Sequence, residues 1–368
     1  MTSPIDLTTS RRSLMKAAGT LGSVAAVQGV ATTLLLSPMN RALAQTREVQ
    51  TMRSTAKSWL WAGEDFAAGG GFFEEVGLNV VSNASGRGVN VNALIGGAVD
   101  IVLGAPGQTM RAQAQGQPIK IIAGTVNKYA SNIVVNAEIL AERGVDESSP
   151  VEEKIEAMRG LRLGTTGPGA APDNLFRYLF DRVGIDPDAD VELVSVQGGG
   201  SGMLAGMERG TIDGFCLSSP TSDVAVQQFG AAYLFNMATN PPEELEDYLY
   251  IVAQVSDETI AERRELVFDY CRGTALALRA IHQEPETFRA WAMEWFEGLD
   301  PELFDTAFAT NSQIYMPNPI PTERHFELNK TFVNQGFATL GEDPLPDDFG
   351  FLDAYDPSIA EEATAAIE

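Results

Sequence analysis

Leu94-Ile-Gly-Gly-Ala-Val-Asp-Ile-Val-Leu-Gly-Ala-Pro106 reads as a helix end, a glycine joint, a Val-Asp strand start and a proline exit. Leu204-Ala-Gly-Met-Glu-Arg-Gly-Thr-Ile-Asp-Gly-Phe-Cys-Leu-Ser-Ser-Pro220 repeats that grammar about 110 residues on. Helix-glycine-strand joints are common in α/β proteins. Two with the same Asp placement and a Pro exit predict two lobes of similar construction.

The flanking segments extend the pattern. Val49–Arg53, Leu78–Ser82, Asp100–Leu103 and Ile119–Ala123 read as strands, with helices over 89–95 and Gln108–Gln115. After an acidic helix near Glu152–Met158 the alternation restarts. Strands are expected at Arg162–Thr165, Val191–Val196 and Gly214–Leu217, with helices over Asp173–Arg182 and Gly202–Arg209. Tyr248–Val255 is a further strand, and helices follow over Asp257–Gln283, Pro285–Glu297, Pro301–Asn311 and Thr322–Leu340. Strand-helix alternation of this kind predicts mostly parallel sheets flanked by helices.

Composition narrows the partners. The 368 residues hold 50 carboxylates against 25 Lys and Arg, a net charge of −25. Such a chain lacks the basic stripe that phosphate binding requires, so nucleic acid is not an expected partner. An anionic membrane surface repels it for the same reason. Acidity concentrates at the end, where residues 331–368 contain nine acids and no Lys or Arg. Two Cys exclude a disulfide framework, and two His argue against a histidine metal site.

Residues 1–44 read as an address. Ser10-Arg-Arg-Ser-Leu-Met-Lys16 is followed by twenty uncharged residues, Ala17–Leu36, and by Ala42-Leu-Ala44, a small-residue exit. This is the layout of a secretory signal, and the paired arginines resemble the twin-arginine export signal of bacteria. A retained anchor is the alternative, because twenty uncharged residues reach across a bilayer. Export places the protein in the periplasm.

Glycine clusters mark the strand-to-helix turns where chemistry is expected. They are Ser85-Gly-Arg87-Gly88, Gly104-Ala-Pro106-Gly-Gln108, Thr165-Thr-Gly167-Pro-Gly169 and Gly198-Gly-Gly200-Ser201-Gly. In parallel sheets these turns lie at the carboxyl ends of strands, where ligands bind. Helix N-termini there present N–H groups and positive dipole ends. The exit Ser218-Ser219-Pro joins this set. Arg87 either grips an oxyanion or sits in solvent. Trp59 and Trp61, beside Lys57 and Ser58, either pack the loop after the first strand or supply an indole that stacks on a ligand.

Other chemistries find little support. Gly200-Ser-Gly-Met-Leu-Ala205 fits a dinucleotide fingerprint, but Asp213 comes too early and Asp223 too late for its ribose acid. No Gly-Lys-Ser/Thr loop and no G-x-S-x-G elbow occurs. Cys216 and Cys271 read as buried small residues, and His282 and His325 as helix histidines. No catalytic residue, metal or cofactor is expected.

Gly71-Phe-Phe-Glu-Glu-Val-Gly-Leu-Asn-Val80 resembles a segment of the periplasmic solute-binding proteins of ABC importers, of the nitrate/sulfonate/taurine and thiamine-pyrimidine-precursor type. Ala93 to Ala123 and the runs Leu161-Arg-Leu-Gly164 and Val194 to Asp213-Gly resemble the same NMT1-like group. The likeness covers about residues 48–357. It implies a type II binding-protein fold with a ligand cleft between two lobes. Residues 45–126 and 249–368 form one lobe and residues 127–248 the other. It also implies a monomer that captures a small organic anion or acceptor-rich solute, sulfonate/taurine-like or heterocyclic, by hinge closure and delivers it to a membrane permease. Enzymes share this fold. The pyrimidine-synthase type uses a cysteine-rich motif, and the desulfinase type a nucleophilic Cys after the first strand; neither occurs here. A partner of a membrane sensor is the third alternative.

Overall fold

The computed structural model describes residues 46–85 and 90–368. The export signal read in residues 1–44, and the candidate residues Arg87 and Gly88, lie outside the described residues. Among the described residues no helix is long and apolar enough to cross a membrane.

The chain lays down β1 (Arg47–Arg53), α1 (Ala62–Gly69), α2 (Phe72–Glu75), β2 (Leu78–Ala84), α3 (Val91–Ile95), β3 (Ile101–Gly104), α4 (Pro106–Ala114) and β4 (Ile119–Val126). It then crosses to β5 (Ser131–Asn136), α5 (Ala137–Arg143), α6 (Val151–Glu156), β6 (Arg162–Thr165), α7 (Ala171–Asp181), β7 (Glu192–Ser195), α8 (Gly199–Glu208), β8 (Gly214–Ser218), α9 (Thr221–Gln228) and β9 (Ala231–Phe235). It returns through β10 (Ile251–Ser256), α10 (Asp257–Gln283), α11 (Pro285–Trp295), α12 (Pro301–Asn311), α13 (Glu323–Thr339), α14 (Phe351–Ala354) and α15 (Ser358–Ala365).

Two five-stranded sheets result, ordered β2-β1-β3-β10-β4 and β7-β6-β8-β5-β9. The orders are the same once each half is counted from its own first parallel strand. In each sheet one strand runs against the rest: β10 is antiparallel to β3 and β4, and β5 to β8 and β9. Each is the strand that arrives from the other half. The parallel strands end at the face between the sheets, so a strand entering from that face runs against them. The sheets are therefore mixed, with four of the five strands in each running the same way, as the strand-helix alternation predicts.

The sequence echo has a common structural cause. The backbone N–H of Gln50 in β1 donates to the Asp100 carboxylate (2.8 Å), and the Asp100 N–H returns to Gln50 O (2.9 Å). In the second sheet the Arg162 N–H donates to the Asp213 carboxylate (2.8 Å), and the Asp213 N–H returns to Arg162 O (2.8 Å). Each Asp thus pins the start of its third strand to the first. Gly97 and Gly210 precede these joints with φ of 67° and 63°, left-handed angles that glycine adopts without a Cβ clash.

The returning helices cover the first sheet. Helix α10 starts on Ser256, whose side chain accepts the Thr259 N–H (3.1 Å) and supplies its N-cap. Phe73 stacks on Tyr270 at 5.2 Å, over Gly273, where an added Cβ would lie 2.4 Å from the ring. Helices α11 and α12 contribute Phe288, Phe304 and Phe308 to an aromatic core around Trp59.

Candidate functional site: a cleft between two sheets

The turns after β1, β3, β6 and β8 meet around one cavity. Ser54 and Thr55 reach it from β1, and Gly104 to Gln108 from β3 with the exception of Pro106. Thr166 and Gly169 reach it from β6, and Leu217 and Ser218 from β8. The space is about 880 Å³, counting what opens to solvent. Tyr129, Tyr248 and Tyr250 line it from the two crossings, and Phe332 from α13. No Asp, Glu, Lys, Arg or His occurs among the described residues that line it.

Polarity comes instead from backbone, hydroxyl and amide groups. Helices α4 and α7 open on the cavity, and first-turn N–H groups have no partner inside their own helix. Both begin with a proline in the first turn, which costs no helix hydrogen bond there. Asp173 stands in the first turn of α7 yet does not line the cavity. Its carboxylate accepts the Gly169 N–H (2.9 Å) and Arg177 Nε (3.1 Å), so its charge is already paired.

The halves touch directly. Gln108 Nε2 donates to Gly169 O (3.0 Å), and Asn174 Nδ2 to the same oxygen (3.2 Å). Ser58 Oγ and Ser218 Oγ share a hydrogen bond of 2.8 Å, and the Trp59 N–H donates to Ser219 O (3.2 Å). A second space of about 1,150 Å³, again open to solvent, shares Ser54, Thr55, Leu217 and Ser218 with the first. The N-terminus of α8 borders it.

The structure distributes the predicted residues unevenly. Trp61, Gln108, Gly169 and Ser218 line the main cavity. Lys57, Ser58, Gly200 and Ser201 line the second space. The Lys57 ammonium donates to Trp295 O (2.7 Å) and lies 4.9 Å from the centre of that indole, so it is already engaged. Trp59, Ser85, Pro106, Thr165, Gly167 and Ser219 line neither.

Physical reasons account for these six. Trp59 is fully buried, 4.4 Å from the Phe296 ring, and belongs to the core rather than to a ligand face. The Ser85 N–H donates to Arg53 O (2.9 Å), which ties it to β1. Pro106 is buried at the first position of α4. Thr165 Oγ1 accepts the Gly167 N–H (3.3 Å), closing that turn on itself. Ser219 donates its hydroxyl to the Asp223 carboxylate.

The sequence reading missed the tyrosine wall. The strand expected over Tyr248–Val255 begins only at Ile251, and the tyrosines precede it. Tyr129 and Tyr250 stack at 4.3 Å, and Phe332 lies 5.3 Å from Tyr129. Tyr250 Oη and Ser131 Oγ are 2.7 Å apart, and Tyr129 donates to Ala171 O. Burial raises all three tyrosines above the usual range, so their hydroxyls stay neutral.

Titratable groups elsewhere are structural. Burial pushes the Cys216 thiol far up and the Cys271 thiol up to about 12, which denies both the thiolate form. His325 Nδ1 accepts the Thr322 N–H (3.2 Å) in a capping box, and His282 Nε2 lies 3.0 Å from Met316 O. Arg53 pairs with Asp65 (2.7 Å) behind the Ser54–Lys57 turn and donates to Ala56 O (2.7 Å), holding that turn in place.

Two mixed sheets of one order, each taking a strand from the other half, are the fold of the two-lobed periplasmic binding proteins. Solved structures agree. A protein from Bordetella bronchiseptica RB50 superposes with a TM-score of 0.72 at 17% identity, covering 88% of this chain and 98% of that one. The periplasmic nitrate-binding protein NrtA of Synechocystis PCC 6803 gives 0.67 at 16% identity, covering 88% and 89%. The desulfurization enzyme DSZB gives 0.57 at 14%, covering 88% and 100%.

Residues 66–297 match the NMT1-like family, and the chain belongs to it. The bicarbonate-binding protein CmpA of Synechococcus elongatus is 29% identical over 192 residues, 47% of this chain and 42% of CmpA. The bicarbonate transport ATP-binding protein CmpC of Synechocystis is 29% identical over 158 residues, 41% of this chain. The match spans 23% of CmpC, so the chain covers under half the length of the curated relatives it matches.

Proposed function

We propose that the protein is the extracytoplasmic solute-binding component of an ABC import system. It is exported by the twin-arginine signal at residues 1–44 and works as a periplasmic monomer. Residues 45–126 and 249–368 act as one lobe and residues 127–248 as the other. The lobes close by a hinge at the crossings on a small organic anion or acceptor-rich solute, and the closed form docks on a membrane permease.

One observation carries this reading: turns from both sheets line a single cavity. Helix N-termini and neutral donors there suit an acceptor-rich ligand without metal or catalysis. Relatives named as bicarbonate-binding and nitrate/nitrite binding proteins support the transport role.

A thermal-shift screen tests it. Nitrate, bicarbonate, taurine, alkanesulfonates, aromatic acids and pyrimidines are added at millimolar concentration. A solute at 100 times its Kd stabilises the fold by about 2.7 kcal/mol and raises the melting temperature. No shift with any of them contradicts the reading.

The likeness to DSZB favours a second reading, catalysis on the same fold. Turnover of an aromatic sulfinate that disappears in Cys216→Ala would establish it. The burial of Cys216 and the lack of a cysteine between Ser54 and Trp61 weigh against it.

A further inference from the structure

The lining of the main cavity narrows the class of solute. Its aromatic side is fixed before any ligand enters. Tyr129 and Tyr250 lie 27° from coplanar at 4.3 Å, and hydrogen bonds at both hydroxyls hold the rings in that attitude. Phe332 adds a third ring, 5.1 Å from Tyr248 and 5.3 Å from Tyr129. Trp61 also lines the cavity and donates its indole N–H to Thr55 Oγ1 (2.8 Å), which sets the plane of that ring too.

The polar groups are neutral. Gln108 and Asn174 hold each other's neighbourhood through Gly169 O, and Gln254 donates to Gly104 O (3.4 Å) and accepts from Thr109. A small inorganic anion surrenders its hydration shell on entering such a space. Among the described residues no charged side chain replaces that shell, and helix ends supply only partial charge. A flat ring loses little by desolvation and gains offset or edge contacts with each aromatic face. The enclosed part of the space is about 80 Å³, below the roughly 150 Å³ of an apolar cavity that takes benzene, so the halves part to admit a ring.

We infer that the solute carries a planar aromatic or heteroaromatic ring, held against the rings of Trp61, Tyr129, Tyr250 and Phe332, with its acceptor atoms met by neutral amides and hydroxyls. This rests on the binding-protein reading and adds the chemical class. It separates the protein by ligand from its relatives named for bicarbonate and nitrate.

Matched pairs test the ring itself. Calorimetry compares benzenesulfonate with butanesulfonate, benzamide with butyramide, and both sets with nitrate and bicarbonate. The ring member of each pair is expected to bind at least tenfold tighter than its aliphatic mate. Phe332→Leu is expected to cut that preference at least fivefold. Tyr250→Phe keeps the ring and is expected to keep the preference, which separates ring contact from a folding defect. An aliphatic or inorganic solute that binds as tightly as the ring compounds overturns the inference and leaves the binding-protein reading standing. No binding by any probe overturns both.

Discussion

Ser58 Oγ lies 2.8 Å from Ser218 Oγ, and the two hydroxyls belong to turns of different sheets. Both side chains are buried, so this bond exists only while the halves are together. Ser218 lines both spaces, and Ser58 lines the second.

Replacing one hydroxyl therefore weakens closure more than folding. A typical hydrogen bond contributes about 0.5–1.5 kcal/mol. Ser218→Ala is expected to weaken solute binding roughly two- to tenfold, with a small change in ligand-free stability. Calorimetric titration beside chemical denaturation reads the two effects separately. Equal losses in both would assign the bond to the core.

The two neighbouring tryptophans separate by role. Trp59 packs among Phe288, Phe296, Phe304 and Phe308, and Tyr315 donates its hydroxyl to the Trp59 carbonyl (2.6 Å). Trp59→Ala is expected to cost about 3–5 kcal/mol, the range for deleting a buried indole. Trp61→Phe loses the bond to Thr55, and its expected effect is on solute affinity. Urea unfolding of both variants, beside titration of each, checks the division.

These positions show what a sequence carries. The glycine turns were legible because a strand, a glycine cluster and a helix start follow one another locally. Which side chain at a turn faces the ligand was not. Ser218 lines the cavity, whereas the adjacent Ser219 turns its hydroxyl to the Asp223 carboxylate. The wall of Tyr129, Tyr250 and Phe332 joins three distant segments, so only the tertiary crossing brings it together. Ser131–Asn136 and Ala231–Phe235 escaped notice as strands because short apolar runs carry no periodicity of their own. The Asp100 and Asp213 echo was legible because both carboxylates serve the same local joint.

Asp65 gives the protein a pH signature. Burial lifts its carboxyl to about 7, against the attraction of Arg53, while nearby Glu64 adds to the rise. An unfolded Asp titrates near 3.9, so between about pH 4 and pH 7 the folded state holds the extra proton. The stabilisation is complete below the unfolded value and is lost as pH rises through about 7. Asp65→Asn keeps a neutral group at every pH. Relative to the variant, the wild-type protein is expected to lose stability from pH 5 to pH 8. Guanidinium titrations at both values check this, and a constant difference would contradict it.

Both thiols are fully buried and held protonated. The native protein is expected to resist a thiol-specific reagent at pH 8, and both cysteines to react once urea unfolds it. Rapid labelling of Cys216 in the folded state would reopen the catalytic reading.

The central claim is that one small solute occupies the space between the sheets. Native mass spectrometry of the exported protein, with and without added benzenesulfonate, measures it most directly. The account predicts a single added mass per chain, reduced in Ser218→Ala and Trp61→Phe and unchanged in Lys120→Ala, a residue that lines neither space and donates to Leu352 O and Asp353 O. Absence of any adduct, or an adduct insensitive to both cleft variants, would contradict it.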